Sequence, residues 1–200
     1  CLRLPLRVAA TKAGSFLFTL PCITDDMNSI CQPSQLPHGA YAFDQFKTED
    51  FREAFRLAIE EKRHEVEAII ASPEAPSFAN TILALERSGA LLEWVSGSFY
   101  NLLHAEATDE LMQISQEVSP ALSALSSFIT LSEPLFERIR QVWEARESLQ
   151  LDAEDLRLLE RCYEGFSESG AQLPAEEKER LRKVKRELSE LSLTFGQNNL

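Results

Sequence analysis

Thr48-Glu49-Asp50-Phe51-Arg52-Glu53-Ala54-Phe55-Arg56-Leu57-Ala58-Ile59 opens a run that reaches Ala71 without a glycine or a proline. Phe51, Phe55, Ile59, Val66, Ile69 and Ile70 recur at helical spacing and form one apolar stripe, with charged residues between them. Thr48 is a good N-cap, and Glu49 and Asp50 sit in the first turn, where the helix dipole favours negative charge. Ser72-Pro73-Glu74-Ala75-Pro76 stops the helix, because proline removes a donor and clashes with the preceding turn.

The same reading extends toward the C-terminus. A second helix is expected from Ser77 to Ala105, on the stripe Ile82, Leu85, Leu92, Val95, Phe99 and Leu102. Gly89 and Gly97 lie inside it, each at a cost of about 1 kcal/mol against alanine. Gly89 falls on the stripe, where a missing side chain lets another helix come close. Thr108-Asp109-Glu110 opens a third helix, which Pro120 should kink or split. Ser132-Glu133-Pro134 opens a fourth, and Asp152 caps a fifth that Gly170 ends. A sixth follows Pro174. Its narrow seam Leu181, Val184, Leu188, Leu191 and Phe195, flanked by charge, predicts coiled-coil-like packing. No alternating strand-length segment competes. The fold class is all-α, with antiparallel helices and short loops.

Residues 1–26 differ from the rest: they lack helical periodicity and begin with Cys1. Met27 reads as the true start, residues 27–47 as an extended lead-in, and 48–200 as the helical region. The stretch Gly14 to Ile23 is too short for a membrane span, which needs about 20 apolar residues. The chain stops at Phe195-Gly196-Gln197-Asn198-Asn199-Leu200 without a charged tail, so the expectation is that further structure follows.

Composition narrows the function. A hydrophobic content of 44% is enough for a real core. The formal net charge of −12 opposes a nucleic-acid partner, and the cluster Lys178 to Arg186 is interleaved with glutamates as on a solvated helix face. Cys1, Cys22, Cys31 and Cys162 fit no zinc finger, CxxC pair or disulfide framework. Cys162, beside Leu158, Leu159 and Phe166, reads as a buried thiol, which suits a reducing compartment.

Chemistry is mostly absent. His64-Glu65 starts an HExxH motif, but the second His position holds Ala68, so one helix face cannot offer two imidazoles. His64 reads as a surface residue, His104 as a helix-terminal residue and His38 as a turn residue. No serine lies in a G-x-S-x-G elbow, and no phosphate-binding glycine loop occurs. Trp94 and Trp143 fall in helical stripes and read as core. The sequence thus offers no catalytic, cofactor-binding or metal-binding residue.

Longer stretches carry a resemblance. Phe43-Asp44-Gln45-Phe46-Lys47-Thr48-Glu49-Asp50-Phe51, and Pro73-Glu74-Ala75-Pro76-Ser77-Phe78-Ala79-Asn80-Thr81-Ile82 continuing through Glu86-Arg87-Ser88-Gly89, resemble the N-terminal part of bacterial peptidyl-dipeptidases. So do Phe99-Tyr100-Asn101-Leu102, Thr108-Asp109-Glu110-Leu111 and the ending Leu188 to Asn198. These belong to the thimet oligopeptidase and oligopeptidase A family. The resemblance implies mostly cytoplasmic zinc peptidases, all-α, with two lobes around a channel that admits short unfolded peptides. It implies zinc on two His of HExxH and a later Glu, with release of C-terminal dipeptides. Those residues would lie downstream. The expectation is therefore a helical part of the lobe that walls the channel, inactive alone, binding no zinc itself and partnered by the missing catalytic region. A stand-alone helical interaction module, or a regulatory homologue without catalysis, is the alternative.

Overall fold

A computed structural model describes residues 28–32 and 34–198. Residues 1–26, Met27 and Pro33 lie outside the described residues. Seven α-helical segments follow one another without a strand among the described residues: α1 Asp50–Ala71, α2 Ala84–Arg87, α3 Ala90–Glu106, α4 Asp109–Thr130, α5 Glu133–Glu144, α6 Ala153–Glu168 and α7 Ala175–Asn198. The all-α expectation holds.

The α1 stripe divides between two cores. Phe51, Ala54, Phe55 and Ala58 join Ile30, Val95, Phe99, Leu111, Ile114 and Val118. Val66 and Ile69, at the other end, join Phe78, Ile82, Leu135, Ile139, Leu159 and others. Phe99 meets Phe51 and Phe55 edge-on, each at 5.2 Å between centroids, the arrangement that ring quadrupoles favour. Burying each such ring stabilises the fold by about 1.5–3 kcal/mol.

Side-chain caps set most boundaries. Thr108, Ser132 and Asp152 accept backbone N–H bonds from α4, α5 and α6. Ser77 and Asn80 form a reciprocal capping box on a π-helical turn, Phe78–Leu83, that leads into α2. Thr48 does not cap α1: Glu49 precedes the helix with helical dihedrals and no side-chain bond, and Thr48 offers only its carbonyl, to the Phe51 N–H at 3.3 Å.

The expected single helix from Ser77 to Ala105 is broken. Gly89 adopts φ +77° between α2 and α3. The break is satisfied from α1. Lys62 Nζ donates to the Ser88 carbonyl at 2.7 Å, and the Gly89 N–H donates to Glu65 Oε2 at 2.5 Å. A Cβ on Gly89 would lie 2.5 Å from Lys62 Cδ. The close approach inferred for Gly89 is therefore real, but it comes with a turn. Gly97 does stay inside a helix, and its missing side chain makes room for the Tyr41 hydroxyl. Pro120 sits inside α4, which remains one element of 22 residues and is not split.

Arg138 of α5 ties the connection after α1 to the second core. It is 9% exposed, and its guanidinium donates to the Ser72 and Glu74 carbonyls and to Asn80 Oδ1 at 3.1–3.3 Å. Its Nε finds no partner among the described residues. A cation at the C-terminal end of α1 also complements that helix's dipole.

The seam of α7 is the largest departure from expectation. Val184, Leu188, Leu191 and Phe195 are 50%, 62%, 66% and 71% exposed. The helix instead turns Lys178, Leu181, Lys185, Ser189 and Leu193, which are among its less exposed residues, inward, with Lys185 donating to Thr130 of α4. Small residues on α4 allow that approach, and the wide apolar strip remains to one side.

Gly89→Ala should destabilise the chain by about 1 kcal/mol or more, because alanine is strained at positive φ and meets Lys62. Gly165→Ala, inside α6 with open space around it, should stabilise by about 0.5–1 kcal/mol. Urea unfolding followed by circular dichroism measures both; equal shifts for the two variants would contradict this account.

Candidate functional site

The three histidines stay apart. His64 is on the charged face of α1, 70% exposed and beside Glu60 and Glu67 at 4.0 and 3.6 Å. His38 sits in a 3-10 turn with φ 60°. His104 lies in the last turn of α3. Glu65 is engaged with Gly89, as described above. Among the described residues no three His, Cys, Asp or Glu come together in a way that could hold a metal. A zinc ion, implied by the resemblance, does not fit the residues described.

Trp94 and Trp143 are half-buried structural residues. Trp94 Nε1 donates to the Ile30 carbonyl at 2.9 Å and so fastens the lead-in to α3. Trp143 stacks on Tyr163 at 4.9 Å, and the Arg146 guanidinium lies 4.3 Å over its ring. Cys31 and Cys162 are free thiols, partly buried against the two cores. Burial, with nearby glutamates adding to it, pushes both up to about 11. Neither is poised as a nucleophile, since reactivity needs the thiolate.

A concave surface lined mainly by apolar side chains lies where α7 crosses α3 and α4. A cleft of about 350 Å³ is bounded by Leu103, Ala107, Met112 and Leu193, with Tyr100, His104 and Ser115 at its polar edge. Tyr100 also borders a second hollow of about 400 Å³, between Ser119, Ser123 and Ser126 of α4 and Lys185, Leu188 and Ser189 of α7. Burial raises the Tyr100 hydroxyl above its usual range, and a hydrogen bond with Ser115 partly offsets this. It stays protonated at neutral pH and can only donate or accept hydrogen bonds there. The two hollows together suit an apolar side chain beside a polar main chain. They hold no nucleophile paired with a base.

Sequence reasoning did not single out this surface. The signal was present: Ser115, Ser119, Ser123 and Ser126 recur every three or four residues on α4, and Ser189, Ser192 and Gly196 do so on α7. Small side chains on facing helices leave either a close contact or a groove, and only the packed geometry separates the two.

No family model matches the chain. Individual proteins do. A dipeptidyl carboxypeptidase of Salmonella typhimurium is 42% identical over 173 residues, 86% of this chain and 25% of that protein. One of Escherichia coli is 39% identical over 174 residues, 87% of this chain and 26% of that protein. Over most of its own length the chain is similar to part of these dipeptidyl carboxypeptidases. More distant is an oligopeptidase A of Haemophilus influenzae, 24% identical over 172 residues, covering 86% of this chain and 25% of that protein. The relatives are peptidases by name, as the resemblance implied. The chain spans about a quarter of the length of the curated relatives it matches. No helix among the described residues is long and apolar enough to cross a membrane.

Native alkylation at pH 8, mapped by mass spectrometry, should label Cys31 and Cys162 about a hundredfold more slowly than in urea, as a rise from 9.0 to about 11 reduces the thiolate fraction by that factor. The linkage has a definite sign. Both native values are raised, so the stability these thiols contribute is complete below pH 9 and is lost as pH climbs through about 11. Comparable labelling in the folded and unfolded chain would overturn the burial argument.

Proposed function

We propose that this chain is the N-terminal helical portion of a larger zinc peptidase that acts on short unfolded peptides and releases dipeptides from their C-termini. The observation that carries this reading is the similarity to dipeptidyl carboxypeptidases over 86–87% of the chain. In this proposal the metal ligands and the catalytic groups belong to parts of the larger protein other than the residues described here. The chain supplies wall, not chemistry: the groove around Tyr100 faces peptide, and its hydroxyls can hold main-chain groups while Leu103, Met112 and Leu193 take an apolar side chain. A reducing, cytoplasmic setting is part of the same reading and agrees with the free thiols at Cys31 and Cys162.

The exposed strip on α7 supports membership of a larger assembly. Four large apolar side chains at 50–71% exposure are costly to leave in water, and such strips mark contact surfaces. The same strip favours the second reading, a stand-alone helical module that pairs through α7.

The test compares the 200-residue chain with the longer polypeptide encoded in the same reading frame, using an N-blocked tetrapeptide with and without a chelator. The longer protein should release a dipeptide, lose activity on chelation and regain it with zinc; the 200-residue chain should be inactive. Chelator-resistant cleavage by the long form would refute the zinc assignment. An inactive long form, together with a concentration-dependent dimer of the short one in sedimentation, would favour the module.

A further inference from the structure

We propose that the cavity between the N-terminal ends of α5 and α7 binds a small oxyanion, a carboxylate or a phosphate, on the ammonium group of Lys178. The cavity holds about 600 Å³, and Phe128, Leu131, Pro134 and Leu173 form its apolar side. Lys178 lines it with a side chain only 9% exposed. Its Nζ carries three N–H donors and makes no hydrogen bond among the described residues. The nearest carboxylate oxygen, Glu133 Oε2, is 3.9 Å away on a side chain 83% exposed. That distance is beyond hydrogen-bond reach. The stem of Lys178 is buried while its ammonium opens on the cavity with donors to spare, and the cavity is large enough to bring an acceptor to it.

The surrounding groups favour the same ligand. α7 is 24 residues long, and Pro174 precedes it where Thr108, Ser132 and Asp152 cap other helices with an oxygen. The first amides of α7 therefore have no capping side chain. Ala175, which carries the first of them, borders the cavity. Helix N-termini of this kind attract anions through their free N–H groups and their dipole. Arg182, one turn beyond Lys178 on the same wall, adds a second cation. Its guanidinium is held by Glu179 at 3.1 Å in an exposed pair, which an incoming anion can replace. Glu176 and Glu177 of the first turn are exposed. Glu133 is the acidic group at the cavity, and an oxyanion in hydrogen-bond contact with Nζ outcompetes its 3.9 Å approach. The proposal stands independently of the peptidase reading.

The test is a titration of the 200-residue chain, at fixed ionic strength, with inorganic phosphate and separately with N-acetylglycine, followed by NMR. N-acetylglycinamide, which lacks the carboxylate, is the control. Saturable shifts at the Ala175 and Glu176 amides and at Lys178 Nζ are expected, with none from the amide control. Affinity should fall about tenfold in Lys178→Met, the loss of roughly one charge-assisted hydrogen bond. Arg182→Gln, at the exposed rim, should weaken binding in the same direction without disturbing the fold. Saturation by phosphate alone or by N-acetylglycine alone supports the site and names its source. Shifts that fail to saturate with either anion, or affinities unchanged in both variants, overturn it.

Discussion

Everything in this structure hangs on one helix serving two cores. α1 is 22 residues long, about 33 Å at 1.5 Å per residue, and that length separates its phenylalanines from its Val66 and Ile69 end. Phe51 and Phe55 gather α3, α4 and the lead-in around one apolar cluster. Val66 and Ile69 gather the π-helical turn, α5 and α6 around the other. Between them, Lys62 and Glu65 hold the Ser88–Gly89 turn from the polar side of the same helix. Loss of α1 would leave neither cluster closed.

Much of this was legible in the sequence because local rules and burial agreed. The α5 and α6 boundaries follow from Ser132, Pro134, Asp152 and Gly170, whose preferences depend on their own backbone. The α1 stripe is periodic over five turns, and packing followed it. The failures occurred where a distant residue decided. Gly89 reads as an interior helical glycine until Lys62 and Glu65, more than twenty residues away, supply the hydrogen bonds that make a turn affordable there. Thr48 has the right side chain for a cap, yet a preceding turn of helical backbone removes the geometry in which its hydroxyl could reach. Pro120 breaks a local rule without splitting α4, whose apolar face is held on both sides.

The seam of α7 failed for a different reason. Periodicity reports that a helix has an apolar face; it does not report what covers it. Here α4 receives the neighbouring face, whose small and long-stemmed residues pack closely, and the apolar one is left beside it. The groove around Tyr100 is a product of that offset, which explains why no motif announces it. The chain also spans only about a quarter of the length of its curated relatives.

The bare strip on α7 has a colloidal consequence. At neutral pH the chain's charge of −12 keeps copies apart. That repulsion vanishes near the isoelectric point of about 4.8, where carboxylates are partly neutralised. Four uncovered apolar side chains in a row then meet less electrostatic opposition to contact, so mild acid is the condition that most favours association of copies through this strip.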